Sequence, residues 1–177
     1  VDINTGFAQD GTLYSDRIKE LINPIYEFVK PLEDKLNKII AFTDTHEEDS
    51  VELLSYPAHC LADSDECKVV DELLDIKNLE IIQKNSTNGF FAIDINTLND
   101  IDNVVVVGDC TDICIYQFVV TLKAYFNEKN INKNIVVPMN LVDTYDIPFV
   151  HPGDLLNVVF LNSMVQNGVK LIKKFSL

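Results

Sequence analysis

No apolar run in this 177-residue chain approaches the roughly 20 residues a membrane span requires, and no charged-then-apolar leader opens it. A soluble, cytoplasmic protein is expected. Basic side chains are scarce: 14 lysines and arginines face 28 aspartates and glutamates, for a net charge of −14. That balance opposes binding to phosphate backbones and anionic lipid, so neither nucleic acid nor a membrane is expected as a partner. Cysteines are few, and the spacing of Cys60, Cys67, Cys110 and Cys114 is too irregular for a disulfide framework in a chain of this length. Cys110 and Cys114 do not form a CxxC redox pair, nor does a second cysteine pair complete a structural zinc knuckle. Internal repeats and low-complexity segments are absent. What remains is an ordinary apolar fraction of 47% over a length suited to one domain, residues 1–177.

The stretch around which the chain is organised reads VVVVGDCTDIC, residues 104–114. Four consecutive valines describe a strand buried on both faces, and they run into Gly108 and a polar turn. Thr111 or Asp112 can then cap a helix that continues through Ile115, Phe118, Val119, Leu122 and Tyr125 at helical spacing. Cys114 therefore falls in the first helical turn at the carboxyl end of a strand, where open α/β sheets place their crevices. A helix N-terminus also favours thiolate over thiol.

The remaining strands are expected at a segment ending at Asp2, at 39–42 leading to Thr43 and Asp44, and at 79–83, 134–138 and 169–173. A strand ending at Asp2 needs apolar residues before it, so the first strand is expected to start ahead of Val1. Ser15 and Asp16 open a helical pattern that Pro24 and Pro31 kink or break. Residues 46–66 read as a long polar loop of the kind that usually carries function. Asp154 stands near the start of a helix over 154–166, and Phe90 and Phe91 are assigned to the core. Strands alternating with helices imply an α/β fold: a parallel sheet with right-handed crossovers and helices on both faces.

Parallel strands present their carboxyl ends on one edge, so Asp2, Asp44, Lys84 and Cys114 should converge there. An acid, an amine and a thiol together suit acyl transfer, the thiol attacking a carbonyl while the acid shuttles its proton. Taken singly, each has a plainer reading: Asp2 as a turn cap, Lys84 as a solvated strand end, Cys114 as a small buried hydrophobe. Asp44, His46, Glu52 and His59 follow the second strand, and two of the three histidines in the chain lie in this loop. Carboxylates and imidazoles at irregular gaps are what a loop wrapped round a divalent ion offers, and Zn²⁺, Fe²⁺ or Mn²⁺ would each accept them. A solvated acidic loop is the alternative, and Glu47, Glu48 and Asp49 compete with Glu52 for the role.

VDINTGF at the start, TDTH and PAHC in the loop, the lysine of QKNSTNGFF, and VVVVGDCTDIC together resemble the isochorismatase-like cysteine hydrolases over nearly the whole chain, most closely the nicotinamidases. The resemblance implies a three-layer α/β/α, Rossmann-like fold around a mainly parallel six-stranded sheet. It implies Asp2, Lys84 and Cys114 as a catalytic triad, a non-proline cis peptide between Asp109 and Cys110, and an oxyanion hole from the backbone amides of Cys110 and Cys114. It further implies one divalent ion, zinc first with iron or manganese as alternatives, held by Asp44, His46, Glu52 and His59, and a ring pocket walled by Phe7 and Tyr56, either of which could equally be core. The reaction implied is hydrolysis of nicotinamide to nicotinate and ammonia, with a small-molecule amide as partner and homo-oligomerisation left open. Two departures touch the pocket wall. Asn4, Thr5 and Gly6 replace the centre of a motif that often reads VDxQNDF, and Asn88 and Gly89 stand where a Ser-Ala pair commonly precedes the phenylalanine. Alternatives are a metal-independent hydrolase of another small amide or carbamoyl compound, and a non-catalytic binder on the same fold.

Overall fold

The structure is a computed structural model in which residues 1–173 are described. Among the described residues there are five strands: β1 (Ile39–Asp44), β2 (Leu79–Lys84), β3 (Asn103–Val105), β4 (Asn134–Pro138) and β5 (Lys170–Ile172). All pairings between them are parallel, β1 with β2 in one ladder and β3-β4-β5 in another. The expected sixth strand is corrected to a two-residue seam. Asp2 N donates to Phe42 O at 3.0 Å on one side, while Asp109 N donates to Val1 O at 3.1 Å on the other. Two residues are too few for a ladder, and they leave the neighbouring edge of β3 thinly covered. Val105 is consequently 39% exposed, where burial on both faces was expected.

The sheet divides two apolar cores, as period-2 alternation requires. Ile39 and Ala41 of β1 pack into the first core with α1 (Thr5–Ala8), α2 (Asp16–Lys19), α3 (Ile22–Val29) and α4 (Asp71–Leu74). Ile40 and Phe42 pack into the second with α5 (Tyr116–Glu128) and α6 (Gly153–Gln166). Helices on both faces of a parallel sheet make the three layers. The first helical pattern breaks between α2 and α3, and Pro24 sits in the first turn of α3, where its missing N–H costs nothing. Phe91 is 77% exposed, so its assignment to the core is wrong. Its ring extends from a short 3₁₀ turn, Gly89–Phe91, and packs edge-on to Phe90.

Gly108 ends the strand segment at φ +118°, and a Cβ there would meet Val1 O at 1.9 Å. Only glycine lets the chain turn this close to the seam. No helix among the described residues is long and apolar enough to cross a membrane.

Candidate active site and metal centre

The β1–β2 register sets Asp44 directly opposite Lys84 at the carboxyl ends of their strands. The seam brings Asp2 alongside, and the turn after Gly108 brings Cys114. Lys84 Nζ lies 2.9 Å from Asp2 Oδ2, donates to Asp44 Oδ1 and to Ser86 O at 3.1 Å, and stands 4.0 Å from Cys114 Sγ. Asp2, Asp44, Lys84 and Cys114 are all buried. The four residues expected at the sheet edge are thus in mutual reach.

Their charges are set by burial and by one another. Burial pushes the Asp2 carboxyl up to about 6, against the pull of the Lys84 ammonium. Burial works in the same direction on Asp44, but Lys84, His46 and His59 outweigh it and hold that carboxyl well below its ordinary value. Lys84 loses by burial and gains more from Asp2, Cys114 and Asp44, so its ammonium is firmly held. Burial pushes the Cys114 thiol up despite Lys84. Burial thus opposes the helix N-terminus, which favours the thiolate, and the desolvated sulfur needs a proton acceptor.

The local structure also departs from the expected cap. Thr111–Ile115 is a π-helical turn in which Ile115 N donates to Cys110 O at 3.1 Å, and α5 begins only at Tyr116. Neither Thr111 nor Asp112 caps the helix. Asp112 instead accepts from Thr144 Oγ1 at 2.6 Å and faces His151 Nε2 at 2.9 Å. The Asp109–Cys110 peptide is cis.

Asp44, His46 and His59 offer ligand atoms that all lie within 4.8 Å of one another. Glu52 Oε1 is 3.9 Å from His46 Nε2, at the edge of this group, whereas Glu47, Glu48 and Asp49 are exposed. Hydrogen bonds hold each ring in the form a metal needs. His46 Nδ1 is 2.9 Å from Asn85 Oδ1, and His59 Nδ1 is 2.8 Å from Pro57 O. Both nitrogens donate to these oxygens, leaving each Nε2 lone pair turned toward Asp44. Glu52 Oε2 accepts from Thr87 N at 2.9 Å, while Glu52 Oε1 and His46 Nε2 are buried without a hydrogen-bond partner. Two buried atoms without partners, 3.9 Å apart and beside Asp44, fit a divalent cation. Asn85 and Thr87 carried no sequence signal for this task.

A cavity of about 710 Å³ opens over Cys114, with Phe7, Tyr56, His59, Cys110 and Tyr145 on its wall. Phe7 and Tyr56 each pack against the His59 ring, with centroids 5.7 and 6.1 Å apart. Phe7 is therefore both buried and a wall residue. Tyr145 was missed in the sequence because its placement depends on a distant segment. The lining carries several acidic side chains, Asp16, Asp44, Glu52, Asp109 and Asp146, of which Asp109 is pushed well above the ordinary carboxyl value by burial, and one Lys or Arg side chain, Arg17. Arg17 is already taken, at 2.7 Å by Asp143 and at 2.8 Å by Asp154.

Comparison with known proteins aligns with this geometry. The sequence profile of the Isochorismatase domain matches residues 1–145. Nicotinamidase 1 of Arabidopsis thaliana is 26% identical over 207 aligned positions, covering 99% of this chain and 84% of the relative. Among solved structures, a yeast nicotinamidase superposes with a TM-score of 0.82 at 15% identity, covering 98% of this chain and 97% of the other. N-carbamoylsarcosine amidase from Thermoplasma acidophilum gives 0.79 at 17% identity, with 99% and 94% covered. The pyrazinamidase of Pyrococcus horikoshii, solved in complex with zinc, gives 0.78 at 19% identity, with 98% and 96% covered.

Proposed function

Since the chain belongs to the isochorismatase family of hydrolases, we propose that it is an amidohydrolase that converts nicotinamide to nicotinate and ammonia through a thioester on Cys114. The observation that carries this reading is that the Asp44–His46–His59 group and the thiol site share Lys84, whose ammonium contacts Asp44 on one side and Asp2 and Cys114 on the other. Similarity to Nicotinamidase 1 along nearly the whole chain supports the same substrate.

In this mechanism Asp2 takes the proton of the buried thiol as the sulfur attacks the carboxamide carbon. Lys84 stays charged between the two, so the transfer exchanges one anion for another beside a fixed cation. The backbone amides of Cys110 and Cys114 face the developing oxyanion, a role for which a single donor can be worth about 3 to 4 kcal/mol. Asp2 returns the proton to the departing nitrogen, ammonia leaves, and the thioester carbonyl remains on sulfur. Asp2 then accepts a proton from water, whose oxygen attacks the thioester and releases the carboxylate and the thiol. Asp44, His46, His59 and Glu52 would hold a divalent ion, zinc first, whose contribution is a Lewis-acid anchor for the pyridine nitrogen. Phe7 and Tyr56 offer aromatic faces to the flat ring.

The charge of the cavity selects among amides. With Arg17 engaged twice and acidic side chains around it, the cavity lining among the described residues offers no free Lys or Arg to receive a substrate carboxylate, so a neutral heteroaromatic amide is preferred over a carbamoylated amino acid. The same field repels the carboxylate product. Ammonia release measured over nicotinamide, pyrazinamide and N-carbamoylsarcosine tests this. Turnover of the first two is expected, and a preference for N-carbamoylsarcosine contradicts the reading.

A further inference from the structure

The segment 143–151 carries Tyr145, Asp146 and Ile147 to the cavity wall, and one residue outside the mechanism above fastens it to the turn that bears Cys114. His151 Nε2 lies 2.9 Å from Asp112 Oδ2, and His151 Nδ1 lies 2.9 Å from Tyr145 O. The imidazole also stacks on the Tyr145 ring, with centroids 3.7 Å apart and planes at 18°. Asp112 grips the same segment a second time through Thr144 Oγ1, and Thr111 N donates to Asp143 O at 3.0 Å.

Both partners of the His151 ring are acceptors, a peptide carbonyl and a carboxylate. A neutral imidazole has one N–H to give and an imidazolium has two, so only the protonated ring makes both bonds. The titratable groups in contact with the ring are Asp112 on the turn and Tyr145 on the segment. Asp146 is occupied by Gly153 N at 2.8 Å, and Asp154 by Arg17 of α2. Asp112 is therefore the carboxylate that holds the ring.

We propose that His151 is a positioning residue for the reaction: spanning Asp112 and Tyr145 O with both ring nitrogens, it clamps the Tyr145 wall at a fixed place over Cys114. The kinetic part rests on the amide-hydrolase reading. His151→Phe keeps a ring to stack on Tyr145 and removes both hydrogen bonds. KM for nicotinamide is expected to rise about tenfold, the worth of a charge-assisted hydrogen bond, with kcat within about twofold. Asp112→Asn, which removes the charge that holds the ring, is expected to raise KM in the same direction with kcat within about twofold. Wild-type KM in His151→Phe, or a kcat that falls in step with kcat/KM, overturns the clamp. Nitrogen-resolved imidazole NMR of the whole protein reads the clamp without substrate. Two protected ring N–H signals on His151 at the assay pH support it, and a single one overturns it. Should the wild type hydrolyse no nicotinamide while both signals are present, the functional reading fails and the clamp stands.

Discussion

The ammonium of Lys84 stands 4.0 Å from the sulfur of Cys114 and 2.9 Å from the carboxylate of Asp2, with all three side chains buried. A cation in that place lowers the cost of ionising the thiol and keeps two carboxylates tolerable in a dry interior. Lys84→Met should therefore lower kcat/KM at least about 10²-fold and slow alkylation of Cys114 by iodoacetamide. It should also destabilise the fold by about 3 to 5 kcal/mol, since Asp2 and Asp44 lose their shared partner. Denaturant unfolding and alkylation rates check both. Unchanged alkylation would remove Lys84 from thiol activation.

Asp2 must be ionised to accept the thiol proton, and its carboxyl is raised to about 6 by burial. The acid limb of kcat/KM is expected near that value, rising with pH. Stability carries the opposite sign. A carboxyl raised in the folded state favours folding when protonated, so its contribution is complete below the ordinary value of 3.8 and is lost as pH climbs through about 6. Between those values wild-type stability should decline with rising pH relative to Asp2→Asn, while Asp2→Asn loses turnover. Parallel stability curves for the two proteins would contradict the assignment.

The orphaned Nε2 of His46 and Oε1 of Glu52 predict a stoichiometric divalent ion. Zinc at about 100 times its dissociation constant should stabilise the fold by about 2.7 kcal/mol, through binding to the native state alone. Chelation should reverse this, and His59→Ala should abolish it. Calorimetric titration of the chelated protein measures the affinity directly, and a heat signal equal in His59→Ala and wild type would move the ion elsewhere.

Gly108→Ala places a methyl group where Val1 O already lies, at a φ that L side chains rarely adopt. A loss of about 2 to 4 kcal/mol is expected, because both the turn and the seam holding Asp2 must shift. Thermal unfolding measures it, and a near-neutral outcome would show that the seam is loose.

Much of the site was legible because strand ends are legible. Alternating and continuous apolar runs located β1 and β2, and their parallel register placed Asp44 beside Lys84 without any knowledge of contacts. The VVVVGDCTDIC stretch likewise located Cys114. What escaped depended on tertiary partners. Asp112 looks like a helix cap in sequence, yet the chain delivers Thr144 and His151 to its carboxylate from more than 30 positions away. The six-strand count failed at the seam, where residues 1–2 make hydrogen bonds to Phe42 of β1 and to Val107 and Asp109 beyond the end of β3 without forming a ladder.

The central claim is that Cys114 carries the acyl group. Rapid mixing with nicotinamide, acid quenching and intact-protein mass spectrometry should reveal one nicotinoyl group per chain, located on Cys114 by proteolysis. The adduct should be absent from Cys114→Ala, which should fold normally and release no ammonia. Near wild-type ammonia release by Cys114→Ala would contradict the account outright.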